Sequence, residues 1–137
     1  MPVVLLAEDE PDIVKLVTYI LRREGFSVLT ATTGGEAIAV ARRGEVDVIL
    51  LDIMLPELDG YGVCAALRED PLTRHLPVVV MSARAQAKEV KRGLEAGAVS
   101  YITKPFEPAQ LTEQIRAALA AGAVRKAQGG AGDDRHR

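Results

Sequence analysis

Five short apolar runs separated by segments of helical period constrain the fold of this chain more than any other property. The runs are Val3 to Ala7, Ser27 to Ala31, Val46 to Leu51, Pro77 to Met81 and Ala98 to Ile102. Each is short and aliphatic, which predicts strands covered on both faces. The segments between them predict helices. Ile13, Val14, Leu16, Val17, Ile20 and Leu21 form a stripe that Pro11 opens and Gly25 closes. Thr33 with Glu36 reads as a capping box for a second helix through Ala37, Ile38 and Val40, ending near Gly44. Asp59 caps a third, through Val63, Ala66 and Leu67 to about Asp70. A fourth, around Ala87 to Ala96, has only Val90 and Leu94 as large apolar anchors and is expected to be the loosest. The fifth runs from Pro108 to about Ala121, with Leu111, Ile115, Ala118 and Leu119 on one face.

Strand then helix, five times over, predicts an α/β fold: an open parallel sheet with right-handed crossovers, helices on both faces and the first strand central. Ligands in such folds bind outside the carboxyl ends of the strands, where strand order reverses. The 137 residues suffice for one core. A formal net charge of -2 gives no reason to expect a nucleic-acid surface. The single cysteine, Cys64, excludes a disulfide framework and a thiolate metal site and fits a reducing, cytoplasmic setting. Met1 and Pro2 lead directly into a strand, so neither export nor membrane insertion is expected. From Gly122 onward the chain is mostly Gly, Ala and charge; residues 1–121 are therefore expected to form the domain and 122–137 a flexible tail or linker stub.

The residues that end the runs carry the chemistry. Glu8 and Asp9 follow the first, Asp52 the third, Ser82 the fourth and Lys104 the fifth. If the first and third strands are neighbours, three carboxylates converge, and like charges in a partly dry pocket raise one another's pKa unless a cation neutralises them. All the candidate ligands are hard oxygens, with Cys64 and His75 elsewhere, which favours Mg²⁺ over Zn²⁺ and leaves Mn²⁺ as a substitute. Lys104, followed by Pro105, can point back over the same edge. A divalent ion and an ammonium facing one reactive carboxylate form a clamp for a phosphoryl group, with Asp52 as nucleophile and Ser82 as a hydroxyl donor. No glycine-rich phosphate loop follows the first strand, and Glu8-Asp9-Glu10-Pro11 would repel a dinucleotide or nucleoside triphosphate.

Over about residues 2–121 the sequence resembles the receiver domains of bacterial two-component response regulators. The resemblance is carried by Glu8-Asp9, Asp52-Ile53-Met54-Leu55-Pro56 with Asp59-Gly60, Ser82-Ala83, Gly93-Leu94-Glu95-Ala96-Gly97-Ala98, and Tyr101-Ile102-Thr103-Lys104-Pro105-Phe106. It implies a flavodoxin-like (βα)5 three-layer sandwich with strand order 2-1-3-4-5. It also implies phosphotransfer to Asp52 from a phosphohistidine on a sensor histidine kinase or a histidine phosphotransfer protein. Mg²⁺ would be held by Asp9, Asp52 and the backbone carbonyl of Met54, with Glu8 reaching it through water. Lys104, before a cis proline, would contact the acyl phosphate. Ser82 and Tyr101 would be the switch pair that alters the surface of the fourth helix, fifth strand and fifth helix. Met54 and Arg84 would tune the lifetime of the phosphoryl group toward slow decay.

The Tyr101 to Phe106 string is most like receivers of the winged-helix transcription-factor subfamily, which pair through charges on that surface. Val99 and Ser100 stand where two acids are usual, and Gln110 and Gln114 where an acid and an arginine are usual, so a monomer or weak homodimer is expected. Without a following DNA-binding module the chain is expected not to contact nucleic acid itself, and to act through a downstream partner or a missing effector domain. Two other readings compete. A pseudo-receiver would be a phosphorylation-independent interaction module. A small metal-dependent phosphatase would need a general acid at position 54, which Met54 cannot supply. The chain is therefore expected not to be an enzyme in its own right, beyond its own phosphorylation and slow dephosphorylation.

Overall fold

The computed structural model describes residues 1–83 and 86–135, with side chains as far as Gly122. Elements alternate from the start: β1 (Val3–Ala7), α1 (Pro11–Arg23), β2 (Ser27–Ala31), α2 (Gly34–Arg42), β3 (Val48–Asp52), α3 (Gly60–Glu69), β4 (Val78–Ser82), α4 (Ala87–Glu95), β5 (Ser100–Thr103) and α5 (Pro108–Arg135). The strands form one parallel sheet in the order β2-β1-β3-β4-β5. This is the flavodoxin-like arrangement expected from the sequence. Order reverses beside β1, so the ends of β1 and β3 flank the natural binding crevice.

Strand alternation builds two cores. Leu5, Ile49, Leu51, Val78 and Val80 face one side with Val40, Val63 and Leu67 from α2 and α3. Leu6, Val48, Leu50, Val79, Met81 and Ile102 face the other, with Val17 and Leu21 of α1 and Leu111 and Ile115 of α5. Every residue of β3 and β4 is buried. With the sheet locked between two helical layers, a one-residue slip would exchange the two faces, so register is strongly specified.

Local signals act much as read, with shifts of one or two residues. Pro11 is the first residue of α1, and Gly25 leaves it at φ +91°, a conformation that suits glycine. Thr33 Oγ1 caps α2 by accepting from the Glu36 N–H (3.1 Å), whereas the Glu36 carboxylate accepts from Thr32, one residue earlier than a capping box would have it. Asp59 Oδ1 accepts from the Gly62 N–H at 2.9 Å and caps α3. β3 and β4 each extend to their terminal functional residue, so Asp52 and Ser82 are held in the sheet's ladder.

Two expectations need correction. Leu94, expected as an anchor of α4, is 45% exposed; in α4 only Gly93 is buried, against the Tyr101 ring. The last helix does not end near Ala121 but continues to Arg135. Gly122 is still buried, and a Cβ there would lie 2.7 Å from the Pro77 ring. The side chains of the expected tail lie outside the described residues. Among the described residues, no helix is long and apolar enough to cross a membrane.

Candidate metal and phosphoryl site

Four strand ends deliver the site. Parallel pairing puts Ala7 opposite Leu51, Asp52 opposite Met81 and Ser82 opposite Thr103, so Glu8, Asp9, Asp52, Ser82 and Lys104 emerge along one edge. Main-chain hydrogen bonds extend the ladder one residue further: Glu8 N–H donates to Ala31 O (2.9 Å), Ile53 N–H to Met81 O (3.2 Å) and Lys104 N–H to Ser82 O (2.7 Å). The Lys104–Pro105 peptide is cis, as the family resemblance implied.

Lys104 Nζ donates to Glu8 Oε1 at 2.7 Å and to Asp52 Oδ2 at 3.1 Å. The other oxygen of each acid is also engaged. Asp52 Oδ1 accepts from the Met54 N–H at 3.0 Å, and Glu8 Oε2 accepts from the N–H groups of Asp9 (3.0 Å) and Glu10 (3.1 Å). Glu8 and Asp52 are buried, and Asp9 is exposed at the mouth. One carboxylate oxygen from each of Glu8, Asp9 and Asp52 lies within 4.8 Å of the others, a spread that a single hard cation could span.

The electrostatics follow from this crowding. Burial, and then the adjoining Asp52, push the Glu8 carboxyl up to about 7 despite the hydrogen bond from Lys104. Burial works against the Lys104 ammonium, yet the Glu8 hydrogen bond and the charge of Asp52 hold its pKa above the ordinary lysine value. One ammonium thus serves two buried acids while a third stands beside them. A divalent cation among the three acids would relieve the crowding, and the all-oxygen donor set suits Mg²⁺ or Mn²⁺.

The loop after Asp52 is tightly bent. Leu58 N–H donates to Pro56 O (2.8 Å) around Glu57 at φ +70°, a positive-φ γ-turn of a strained kind. Gly60 closes the loop by donating to Ile53 O (2.9 Å); a Cβ there would lie 2.7 Å from the Ile53 Cα, so no side chain fits. This bend leaves Met54 59% exposed over the site.

The structure therefore brings together Glu8, Asp9, Asp52 and Lys104, with Ser82 buried on the neighbouring strand end. Tyr101 is half-buried against the core beneath α4, and its hydroxyl is buried with no hydrogen-bond partner among the described residues. Arg84 lies outside the described residues. Cys64 is a core residue, its thiol pushed up to about 12 by burial.

One cluster escaped the sequence reading. Tyr61 of α3 donates from Oη to Glu89 of α4 at 2.8 Å, and the Arg92 guanidinium stacks 3.9 Å from the Tyr61 ring centre. Burial, and then the Glu89 carboxylate, push the Tyr61 phenol up to about 12. Tyr61 lies 28 positions from Glu89, and no local pattern announces such a pairing.

Comparison with known proteins decides the family. Residues 4–116 match the model of the response regulator receiver domain. This chain belongs to that family. It is 40% identical over 116 residues to the alkaline phosphatase synthesis transcriptional regulatory protein PhoP of Bacillus subtilis, covering 85% of this chain and 48% of the relative. It is 38% identical over 119 residues to the dual master transcriptional regulator RpaA of Synechocystis, covering 87% and 49%. The chain thus spans about half the length of the curated relatives it matches. That kinship with transcriptional regulators agrees with the likeness of its Tyr101 to Phe106 string to the winged-helix subfamily. Among solved structures, it superposes on the receiver domain of the sensor histidine kinase PA1611 from Pseudomonas aeruginosa, crystallised with magnesium in its active-site cleft (TM-score 0.81, 31% identity, 87% of this chain and 98% of that one). The chemotaxis protein CheY4 of Vibrio cholerae matches equally well (TM-score 0.81, 28% identity, 86% and 98%).

Proposed function

We propose that this receiver domain takes a phosphoryl group from the phosphohistidine of a sensor histidine kinase or a histidine phosphotransfer protein onto Asp52. The reading is carried by the Lys104 ammonium, held between Glu8 and Asp52 where three acids converge. Asp9, Asp52 and the Met54 carbonyl would hold Mg²⁺, with Glu8 acting through water; the ion supplies charge neutralisation for the incoming phosphoryl oxygens. Asp52 is the nucleophile, kept in place by the Met54 N–H and Lys104. As a phosphoryl group arrives, Lys104 exchanges part of its hold on the two acids for a phosphoryl oxygen, so the receptor cation is already in position. Ser82 donates its hydroxyl to another oxygen.

Residues 1–121 are the signalling unit in this reading, with 122–137 a tail or linker. Its output is a change in the α4-β5-α5 surface through Ser82 and Tyr101, read by a partner protein or an effector domain in the cytoplasm. Met54 and Arg84 set how long the acyl phosphate lasts, and the domain turns over no substrate beyond its own phosphoryl group. The test is intact-mass analysis after incubation with acetyl phosphate and MgCl2. One phosphoryl group per chain is expected on the wild type and none on Asp52→Asn. Equal labelling of both would place the acceptor elsewhere, and no labelling of either would favour a phosphorylation-independent binding module.

A further inference from the structure

Resting on that reading, we infer that Arg92 is a specificity-determining residue among small phosphodonors: the cation on the α4 wall that receives the anionic leaving end of an acyl phosphate, as distinct from the neutral leaving group of a phosphorus–nitrogen donor. A cleft of about 510 Å³ opens beside the acidic edge, lined by Asp9, Met54, Pro56, Asp59, Tyr61 and Arg92 among others. Arg92 is the only cation among the described residues that line it. Lys104 is occupied by Glu8 and Asp52 on the inner side, which among the described lining residues leaves the outer side to Arg92.

The guanidinium is exposed yet positioned. Its central carbon sits over the Tyr61 ring, 3.9 Å from the ring centre, and the Tyr61 hydroxyl is itself fixed to Glu89 at 2.8 Å. A guanidinium held over a ring in this way can still turn N–H groups to an oxyanion. Tyr61 is the positioning residue of the pair.

In-line attack by Asp52 sends the leaving group away from the attacking carboxylate, and the cleft that Met54 and Arg92 line opens beside that edge. With acetyl phosphate, the bond from phosphorus to the acetate oxygen breaks as the Asp52 oxygen bonds to phosphorus. Acetate leaves as a carboxylate with the electron pair, and no proton moves. Negative charge therefore develops on the leaving oxygen, where a guanidinium stabilises it. Phosphoramidate breaks a phosphorus–nitrogen bond and releases neutral ammonia, and its leaving end is an ammonium beforehand, so Arg92 offers it nothing.

The experiment compares the two donors. Rates of phosphorylation in MgCl2 are followed by intact mass, since the chain has no tryptophan to report by fluorescence. Arg92→Gln is expected to slow labelling by acetyl phosphate about 3–10-fold, the scale of one exposed charge-assisted contact, and to leave phosphoramidate within about 2-fold. Arg92→Lys should keep most of the acetyl phosphate rate, and Tyr61→Leu should fall between Arg92→Lys and Arg92→Gln. Equal slowing with both donors would assign Arg92 a purely structural role and overturn the inference, as would no slowing with either. If the wild type accepts phosphorus from neither donor, the phosphoacceptor reading fails and this inference with it.

Discussion

Glu8 has no exposed surface and accepts three hydrogen bonds, whereas α4, which leads into β5, buries only Gly93 among its nine residues. The first arrangement is held by charge in a low-dielectric corner, and the second by contacts that include one arginine over a ring, one phenol hydrogen bond, one hydrogen bond from Arg68 to the Glu95 carbonyl and partial contacts with β5. The comparison teaches where this fold is stiff and where it can move. In the proposed reading, a group transferred to Asp52 would meet preset partners, while the surface that would carry the message is held by few buried residues, which suits a change of packing.

The largest effect that would sharpen this contrast comes from the sheet. Leu51→Ala, in a fully buried β3, is expected to lower unfolding free energy by about 3–4 kcal/mol in urea titrations, and Leu94→Ala on α4 by less than about 1 kcal/mol. Similar losses at both sites would erase the distinction. Next, Lys104→Met leaves Glu8 and Asp52 buried without their cation and is expected to remove about 3 kcal/mol at neutral pH in the metal-free protein. A loss under 0.5 kcal/mol, on the order of a surface pair, would mean that Lys104 is not structurally engaged.

Titration offers a subtler break. Glu8 is raised in the folded chain from 4.5 to about 7, so between those values the folded state binds more protons than the unfolded state. Its contribution to stability is fully present below pH 4.5 and is lost as pH rises through about 7. In chelator-treated protein the slope from this group should reach at most roughly 1.4 kcal/mol per pH unit and should vanish in Glu8→Gln. A slope that survives in Glu8→Gln would place the proton elsewhere. The smallest expected effect is local. Tyr61→Phe removes one hydrogen bond, worth about 1 kcal/mol, and should speed amide exchange in α4 while leaving β1 and β3 unchanged.

Much of the stiff region was legible in the sequence. Each of Glu8, Asp9, Asp52, Ser82 and Lys104 lies within two residues of the end of an aliphatic run, and parallel strands carry such ends to one edge whatever the loop details. The runs' limits drifted because hydrogen bonding, not side-chain hydrophobicity, decides the last ladder residue; Asp52 and Ser82 belong to their strands although they are polar. The loose region was less legible. Leu94 was expected inside by its chemistry, yet Gly93 is what faces β5, because close approach to the Tyr101 ring favours the residue without a side chain. The Tyr61, Glu89 and Arg92 contacts depend on how α3 and α4 approach each other, which periodicity within either helix does not encode. Val99, which stands where an acid is usual, is partly packed against the core shared by α1 and α5.

The central claim is that Glu8, Asp9 and Asp52 share one divalent ion opposite Lys104. Titration of Mn²⁺ into the wild type, Asp9→Asn and Asp52→Asn, followed by electron paramagnetic resonance of the free ion, tests it most directly. The account predicts one bound ion per chain in the wild type and loss of that binding in each variant. Undiminished binding in both variants, or no binding by the wild type, would contradict it.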